Sequence, residues 1–192
     1  MNLVDIFEQM AARQPDHVAV YGPGRDARLS YRELQQQIHE TAGRLEAAGI
    51  QAGDCIGLHY PSGLDYIILT YALWRCGACS VPIAIELVEE EKHEICQGIC
   101  LSGVITRAAG AGIFAGFQTG EAHRLDDDGL YLKLRQVRQH PPGFAATNAA
   151  FLRFTSGTTG GSKGVVLSHE TILDRIHAAN DGLCLGPEDR VI

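Results

Sequence analysis

The sequence predicts an α/β protein, with β-sheets flanked by helices. Short β-branched runs such as Val18–Tyr21, Cys55–His59 and residues 101–106 alternate with longer stretches of helical period. The helical stretches close on glycine, Gly49 after one and Gly77 after another. No internal repeat or low-complexity segment breaks the alternation, which is the pattern a layered α/β domain requires.

The elements follow in order. Val18–Tyr21 is a strand that stops at the Gly22-Pro23-Gly24 turn signal. Ser30 followed by Glu33 at the third position is a capping box, so a helix starts there. Leu34, Ile38, Ala42 and Leu45 form its buried stripe. Cys55–His59 is the next strand. Ser62 with Asp65 is expected to cap a second helix running to about Cys76. Its apolar face, Leu64, Ile67, Ile68, Tyr71 and Ala72, is wide enough to predict deep burial. Residues 79–83 read as a strand, 89–97 as an exposed charged helix, and 101–106 as a strand. Residues 108–117, rich in Gly and Ala, fit either a short helix or irregular chain. Asp126-Asp127-Asp128-Gly129 reads as a solvated turn, because three consecutive carboxylates cannot all face one ion. Residues 139–148, with Pro141-Pro142-Gly143, are the best linker, dividing a 1–140 α/β subdomain from a 141–192 segment. Within the latter, 151–154 and 165–167 read as the two strands of a hairpin. Ser168 then caps a helix beginning at His169.

The tip of that hairpin is the most informative stretch: Thr155-Ser156-Gly157-Thr158-Thr159-Gly160-Gly161-Ser162-Lys163-Gly164. It holds five hydroxyls, four glycines and one lysine. Glycines allow close backbone approach, successive N–H groups can converge on an anion, and Lys163 supplies a full charge. The chain carries 23 acids against 16 Lys and Arg, a net charge of −7, yet residues 151–169 contain no acid. This is the chemistry of a grip on phosphate oxygens; a plain Gly/Ser/Thr surface turn is the bland alternative. It is not a Walker A loop, which needs Gly before the Lys, Ser or Thr after it, and a helix directly following.

Thr-Ser-Gly-Thr-Thr-Gly-x-x-Lys-Gly-Val followed by Leu-Ser-His resembles the phosphate loop of the adenylate-forming (AMP-dependent synthetase/ligase) superfamily, which includes acyl-CoA synthetases and peptide-synthetase adenylation domains. Three upstream segments resemble the same family in the same order: Leu29-Ser30-Tyr31-Arg32-Glu33-Leu34, Gly49-Ile50-Gln51-Ala52-Gly53-Asp54, and Gly77-Ala78-Cys79-Ser80-Val81-Pro82. Ser162 departs from the family, which most often has Pro there. The resemblance implies the N-terminal part of the adenylate-forming fold and is most like an acyl-CoA synthetase. Such an enzyme activates a carboxylic acid with ATP and Mg²⁺ as an acyl-adenylate, then passes the acyl group to coenzyme A or a carrier-protein thiol. It implies nucleotide binding by Thr155, Ser156, Gly157, Thr158, Thr159, Gly160, Lys163 and Gly164, with Lys163 in the catalytic role. Family enzymes are more than twice this long, so the chain reads as an N-terminal fragment, truncated before the family's acyl pocket and C-terminal lysine and not competent alone. A dimer through surface left open is then expected. A Gly/Ser-rich amidase lacks its second serine and upstream lysine here. A non-catalytic nucleotide- or partner-binding module of the same fold is the rival reading.

Composition bounds the partners. The negative charge gives no reason to expect nucleic acid or an anionic membrane. The longest strongly apolar run, residues 66–74, is nine residues, against about 20 for a membrane span. Asp5 and Glu8 interrupt the first apolar stretch, so no signal peptide is read and a cytoplasmic location is expected. Cys76, Cys79, Cys96 and Cys100 are spaced nearly as a zinc site, but they fall at helix ends and in strands, so reduced core cysteines and no metal are expected. Tyr31 and Asp54 are read as structural, Arg153 as an ion-pair partner, and His169 as a surface residue or a ligand neighbour.

Overall fold

A computed structural model describes residues 2–22, 28–99, 101–107, 119–138, 140, 143–155, 163–184, 186 and 189. The glycine-rich 108–117 stretch and Cys100 lie outside them. In chain order the elements are α1 (Leu3–Arg13), β1 (Val18–Tyr21), β2 (Arg28–Ser30), α2 (Tyr31–Ala47), β3 (Cys55–His59), α3 (Leu64–Arg75), β4 (Cys79–Pro82) and α4 (Glu89–Gly98). After these come β5 (Gly103–Arg107), β6 (Thr119–Arg124), β7 (Leu130–Arg135), a 3₁₀ turn (Phe144–Thr147), β8 (Ala149–Thr155), β9 (Lys163–Ser168) and α5 (His169–Leu183).

The central strands β3, β4 and β5 are parallel, and the main sheet runs β6-β7-β5-β3-β4-β8-β9. All five residues of β3 are buried, as expected of a strand covered on both faces. Alternation along the strands sorts the core into two layers. Ile56, Leu58, Ile105 and Leu132 meet Leu45 of α2 and Leu69 and Leu73 of α3. Cys55, Cys79, Val81 and Val104 meet Ile95 and Cys96 of α4. The crossovers β3–α3–β4 and β4–α4–β5 therefore lie on opposite faces, a doubly wound arrangement.

Local chemistry explains the joints. The Ser30 Oγ accepts from the Glu33 N–H at 3.2 Å, and Glu33 returns a bond to the Ser30 N–H at 2.8 Å. The four stripe residues of α2 are all buried. Gly103 opens β5 where only hydrogen fits: a Cβ there would meet Leu134 Cδ2 at 2.7 Å and the Lys133 carbonyl oxygen at 2.8 Å. Glu8 of α1 accepts from Gln35, from His39 Nε2 at 2.6 Å and from Arg75 Nη1 at 2.7 Å, joining α1, α2 and α3.

Several expectations shift. Ser62 does not cap α3; the N-cap is Gly63 without a side-chain bond, and the Asp65 carboxylate accepts from the Tyr60 hydroxyl at 3.0 Å instead. Of the expected α3 face Ile68 and Ala72 are buried while Leu64, Ile67 and Tyr71 are only half-buried; the helix also buries Leu69, Leu73 and Trp74, because helices and sheet enclose it on several sides. Strand β5 starts two residues late, and α4, though charged, buries Lys92 by donating its Nζ to the Ile85 carbonyl at 2.8 Å. Cys76 lies in one core layer and Cys79 and Cys96 in the other, so these three do not share a site. Strands β2, β6 and β7 were not anticipated; Asp126 does begin the turn between the last two, accepting from the Leu130 N–H at 2.7 Å.

The segment before β8 is tied down at two points. Asp54, wholly buried, accepts from the Gln51 N–H at 2.8 Å and from Arg138 Nη1 at 2.6 Å, while Arg138 Nη2 donates to the Gly49 carbonyl at 2.7 Å. Phe144 then packs into the α4-side core. Strand β8 pairs in parallel with β4 at Ser80↔Phe151, so the hairpin continues the same sheet.

Candidate functional site

The hairpin β8–β9 is built by seven residues against six in antiparallel register, ending in Phe154↔Gly164 and Thr155↔Lys163. That last backbone pair holds the two ends of the phosphate-loop candidate at the carboxyl end of β8. Ser156, Gly157, Thr158, Thr159 and Gly160, with the side chains of Thr155 and Lys163, lie outside the described residues. Gly164 packs beside Leu152, with a Cβ position 3.3 Å from its Cδ2.

Beside the hairpin stem is a cleft of about 640 Å³ at the carboxyl ends of β3, β4 and β8. Its walls include Tyr60, Tyr66, Ile83, Glu94, Arg153 and Phe154. Open α/β sheets place ligands at carboxyl ends of strands, and volumes of this order suit small molecules. The Arg153 guanidinium lies over the Phe151 ring, 5.3 Å from its centre, a cation–π contact rather than the expected ion pair. Burial raises the Tyr66 phenol, and the charge of Arg153 draws it partly back, so the hydroxyl stays protonated. Beneath the cleft His59 is buried and shares a hydrogen bond with Thr106 Oγ1 at 3.0 Å; burial, then the charge of Lys92, lowers its pKa.

The root of the hairpin is equally well defined. Ser168 Oγ accepts from the Thr171 N–H at 3.1 Å and caps α5 as expected. The His169 N–H donates to the Asn148 carbonyl at 3.0 Å, and Asn148 Nδ2 donates to Glu170 at 2.6 Å. His169 is 3% exposed, which removes it from the surface; its ring stands edge-on to Trp74 with centroids 5.3 Å apart. The Trp74 indole N–H donates to the Ala150 carbonyl of β8 at 2.8 Å. Sequence reasoning passed over Trp74 and the cleft wall at 82–87. The signal for the wall was available: those residues form the end of the strand read at 79–83 and the turn after it.

Among the described residues no group of three His, Cys, Asp or Glu side chains converges as a metal site, and no helix is long and apolar enough to cross a membrane. The site geometry is that of an antiparallel hairpin stem beside a cleft of small-molecule size.

Phosphinothricin tripeptide synthetase PhsC of Streptomyces viridochromogenes is 32% identical over 189 residues, 97% of this chain and 17% of that protein. The crotonobetaine/carnitine–CoA ligase of Salmonella paratyphi A is 31% identical over 188 residues, 88% of this chain and 36% of that protein. Among solved structures, o-succinylbenzoate CoA synthetase of Bacillus subtilis, bound to an acyl-adenylate intermediate, superposes with a TM-score of 0.78 at 17% identity, over 99% of this chain and 48% of that one. The inhibitor-bound N-terminal domain of FACL13 from Mycobacterium tuberculosis does so with a TM-score of 0.70 at 25% identity, over 98% and 48%. The chain thus spans about half or less of each. A family profile described as AMP-binding enzyme matches residues 7–192. With the fold, the hairpin and the match running together over nearly the whole length, the chain belongs to the AMP-binding, adenylate-forming enzyme family.

Proposed function

We propose that the whole protein activates a carboxylic acid with ATP and transfers the acyl group to a thiol. A carboxylate oxygen attacks the α-phosphorus, the bond from that phosphorus to the bridging oxygen breaks, and acyl-adenylate and pyrophosphate result. A thiol sulfur then attacks the acyl carbon and AMP leaves. The observation that carries this reading is the hydroxyl- and glycine-rich stretch from Thr155 to Gly164, free of acids and held at the carboxyl side of the sheet by the Thr155↔Lys163 pair.

In this reading the chain's own residues grip the departing pyrophosphate. Backbone N–H groups of Gly157 to Gly160 and the hydroxyls of Thr155, Ser156, Thr158 and Thr159 donate to its oxygens, and Lys163 offsets its charge. Fixed donors of this kind cost no reorganisation as charge develops, which is why they favour the transition state over the bound ATP. A Mg²⁺ ion would add charge neutralisation and would arrive held by the triphosphate itself, the usual manner for that ion. We keep the division of the chain into 1–140 and 141–192 as part of this proposal, the second segment carrying the phosphate loop.

Coenzyme A is the proposed acceptor. A carrier-protein thiol is the second reading, favoured by the peptide synthetases among the relatives, of which this chain covers 97% of its own length in PhsC and in tyrocidine synthase 1. The cleft at Tyr60, Tyr66 and Arg153 is suited to a small molecule bound beside the loop. The test is ATP–pyrophosphate exchange by the whole protein with a panel of carboxylic acids. Exchange that requires one acid class supports the proposal. Nucleotide binding with no acid-dependent exchange leaves the non-catalytic module in its place.

A further inference from the structure

We infer that neutral His169 is a positioning residue for the phosphate loop: with Trp74 it clamps the root of the hairpin to the first turn of α1. This rests on the phosphate-loop reading of residues 155–164. The contacts come from four elements that are remote in sequence. The Leu3 N–H, one of the unpaired amides of a helix start, donates to His169 Nδ1 at 3.3 Å. Asn2 caps the same helix through the Val4 N–H at 3.0 Å and donates its Nδ2 to the Trp74 carbonyl at 3.3 Å. Trp74 bonds the Ala150 carbonyl on one arm, and His169 follows directly on the other arm, where Ser168 pairs with Ala149. Both arms are thus fixed by one indole–imidazole pair. Thr155 lies six steps along the strand from Ala149, so a small rotation at the root is carried roughly 20 Å to the loop.

The clamp works only while Nδ1 keeps its lone pair. Protonation turns the acceptor into a donor facing the Leu3 N–H, and places a charge in a site that is 3% exposed. Burial holds the imidazole below its ordinary 6.5; Glu170 on α5 and Asp5 on α1 pull upward, and the chain's amino group pushes down. Trp74, Phe151 and Leu173, which pack around the ring's end of the core, bring no charge. Because the folded value is the lower one, the neutral ring's contribution is complete above pH 6.5 and is lost as pH falls through the folded value.

Trp74 is the chain's single tryptophan, so its emission reports the surroundings of this one indole, the His169 contact among them. An imidazolium held edge-on to indole quenches it. The experiment titrates the emission of the chain from mildly alkaline conditions to about pH 5, and measures pyrophosphate affinity by calorimetry at the same points. The expected result is one-proton quenching with a midpoint below 6.5, and pyrophosphate binding that weakens by about tenfold or more along the same curve. His169→Asn keeps an acceptor oxygen near the Nδ1 position, so it should retain affinity and lose both acid limbs. His169→Leu should bind weakly at every pH. Emission that does not titrate, or titrates unchanged in His169→Asn, overturns the clamp. Emission that titrates while affinity stays flat overturns the positioning role. Emission that titrates with no pyrophosphate binding at any pH overturns the phosphate-loop reading and leaves the clamp standing.

Discussion

Replacing Arg138 with Met should destabilise the fold by about 3 kcal/mol. The guanidinium bonds the carboxylate of Asp54 at 2.6 Å, and that carboxylate is wholly buried while the Arg138 side chain is 21% exposed. Two unit charges about 4 Å apart attract by about 4 kcal/mol at an effective dielectric constant near 20, and removing one partner of a buried pair costs about 3–5 kcal/mol in practice. Local entry of water beside Asp54 places the expected cost at the low end. The variant also loses the bond from Arg138 Nη2 to the Gly49 carbonyl. The ring of His140, 3.9 Å from the other oxygen of Asp54, is beyond hydrogen-bond reach and does not substitute. Urea unfolding followed by circular dichroism should give a lower midpoint at unchanged slope, and melting should drop by about 6–12 °C for a domain of this size. The double variant Asp54→Asn with Arg138→Met removes the stranded charge and should recover about 2 kcal/mol. A cost under about 1 kcal/mol for Arg138→Met would mean that solvent screens the pair and that it does not hold this segment to the core.

Gly103→Ala should cost about 2–3 kcal/mol in the same assay, because the added methyl meets the Lys133 carbonyl, which cannot move without opening the β5–β7 ladder. Glu8 feels burial first, which raises its carboxyl, but His39, Gln35 and Arg75 together hold it below the ordinary 4.5. Its stabilising contribution is therefore complete above pH 4.5 and lost as pH falls through the folded value, so Glu8→Gln should show a shallower acid limb in urea titrations across that range. The outer edge of β9 ends the sheet with Val165 and Val166 each about 40% exposed, and Ile176 and Leu183 of α5 are exposed as well. Sedimentation should show concentration-dependent self-association of this chain, abolished by Val166→Lys; a monomer at every concentration counts against it.

The parts of the fold written in local chemistry were legible. The Ser30–Glu33 capping box, the α2 stripe, the β3 run and the paired strands β8 and β9 with the Ser168 cap each depend on neighbours a few residues away, and each is present. What escaped depends on contacts distant in sequence. Ser62 offered a capping side chain, but the Tyr60–Asp65 bond took the acid that would have supported it. Trp74 looked like one more apolar residue on a buried helix; its role follows only from Ala150, Leu3 and His169 meeting there. His169 was balanced between surface and ligand because nothing local tells that α1 closes over it. Strand β7 does carry a period-2 signal, Leu130, Leu132 and Leu134 being its buried face, and sequence reasoning passed it over; β6, beyond it at the sheet edge, has no apolar alternation of its own and is defined by pairing with β7.

In the proposed function residues 155–164 grip the pyrophosphate end of ATP and Lys163 supplies the charge. The most direct measurement is calorimetric titration of the chain and its Lys163→Ala variant with pyrophosphate. The account predicts saturable one-site binding to the chain, weakened by at least about tenfold in the variant, while both unfold at the same urea concentration. Equal affinity in the two proteins would contradict it.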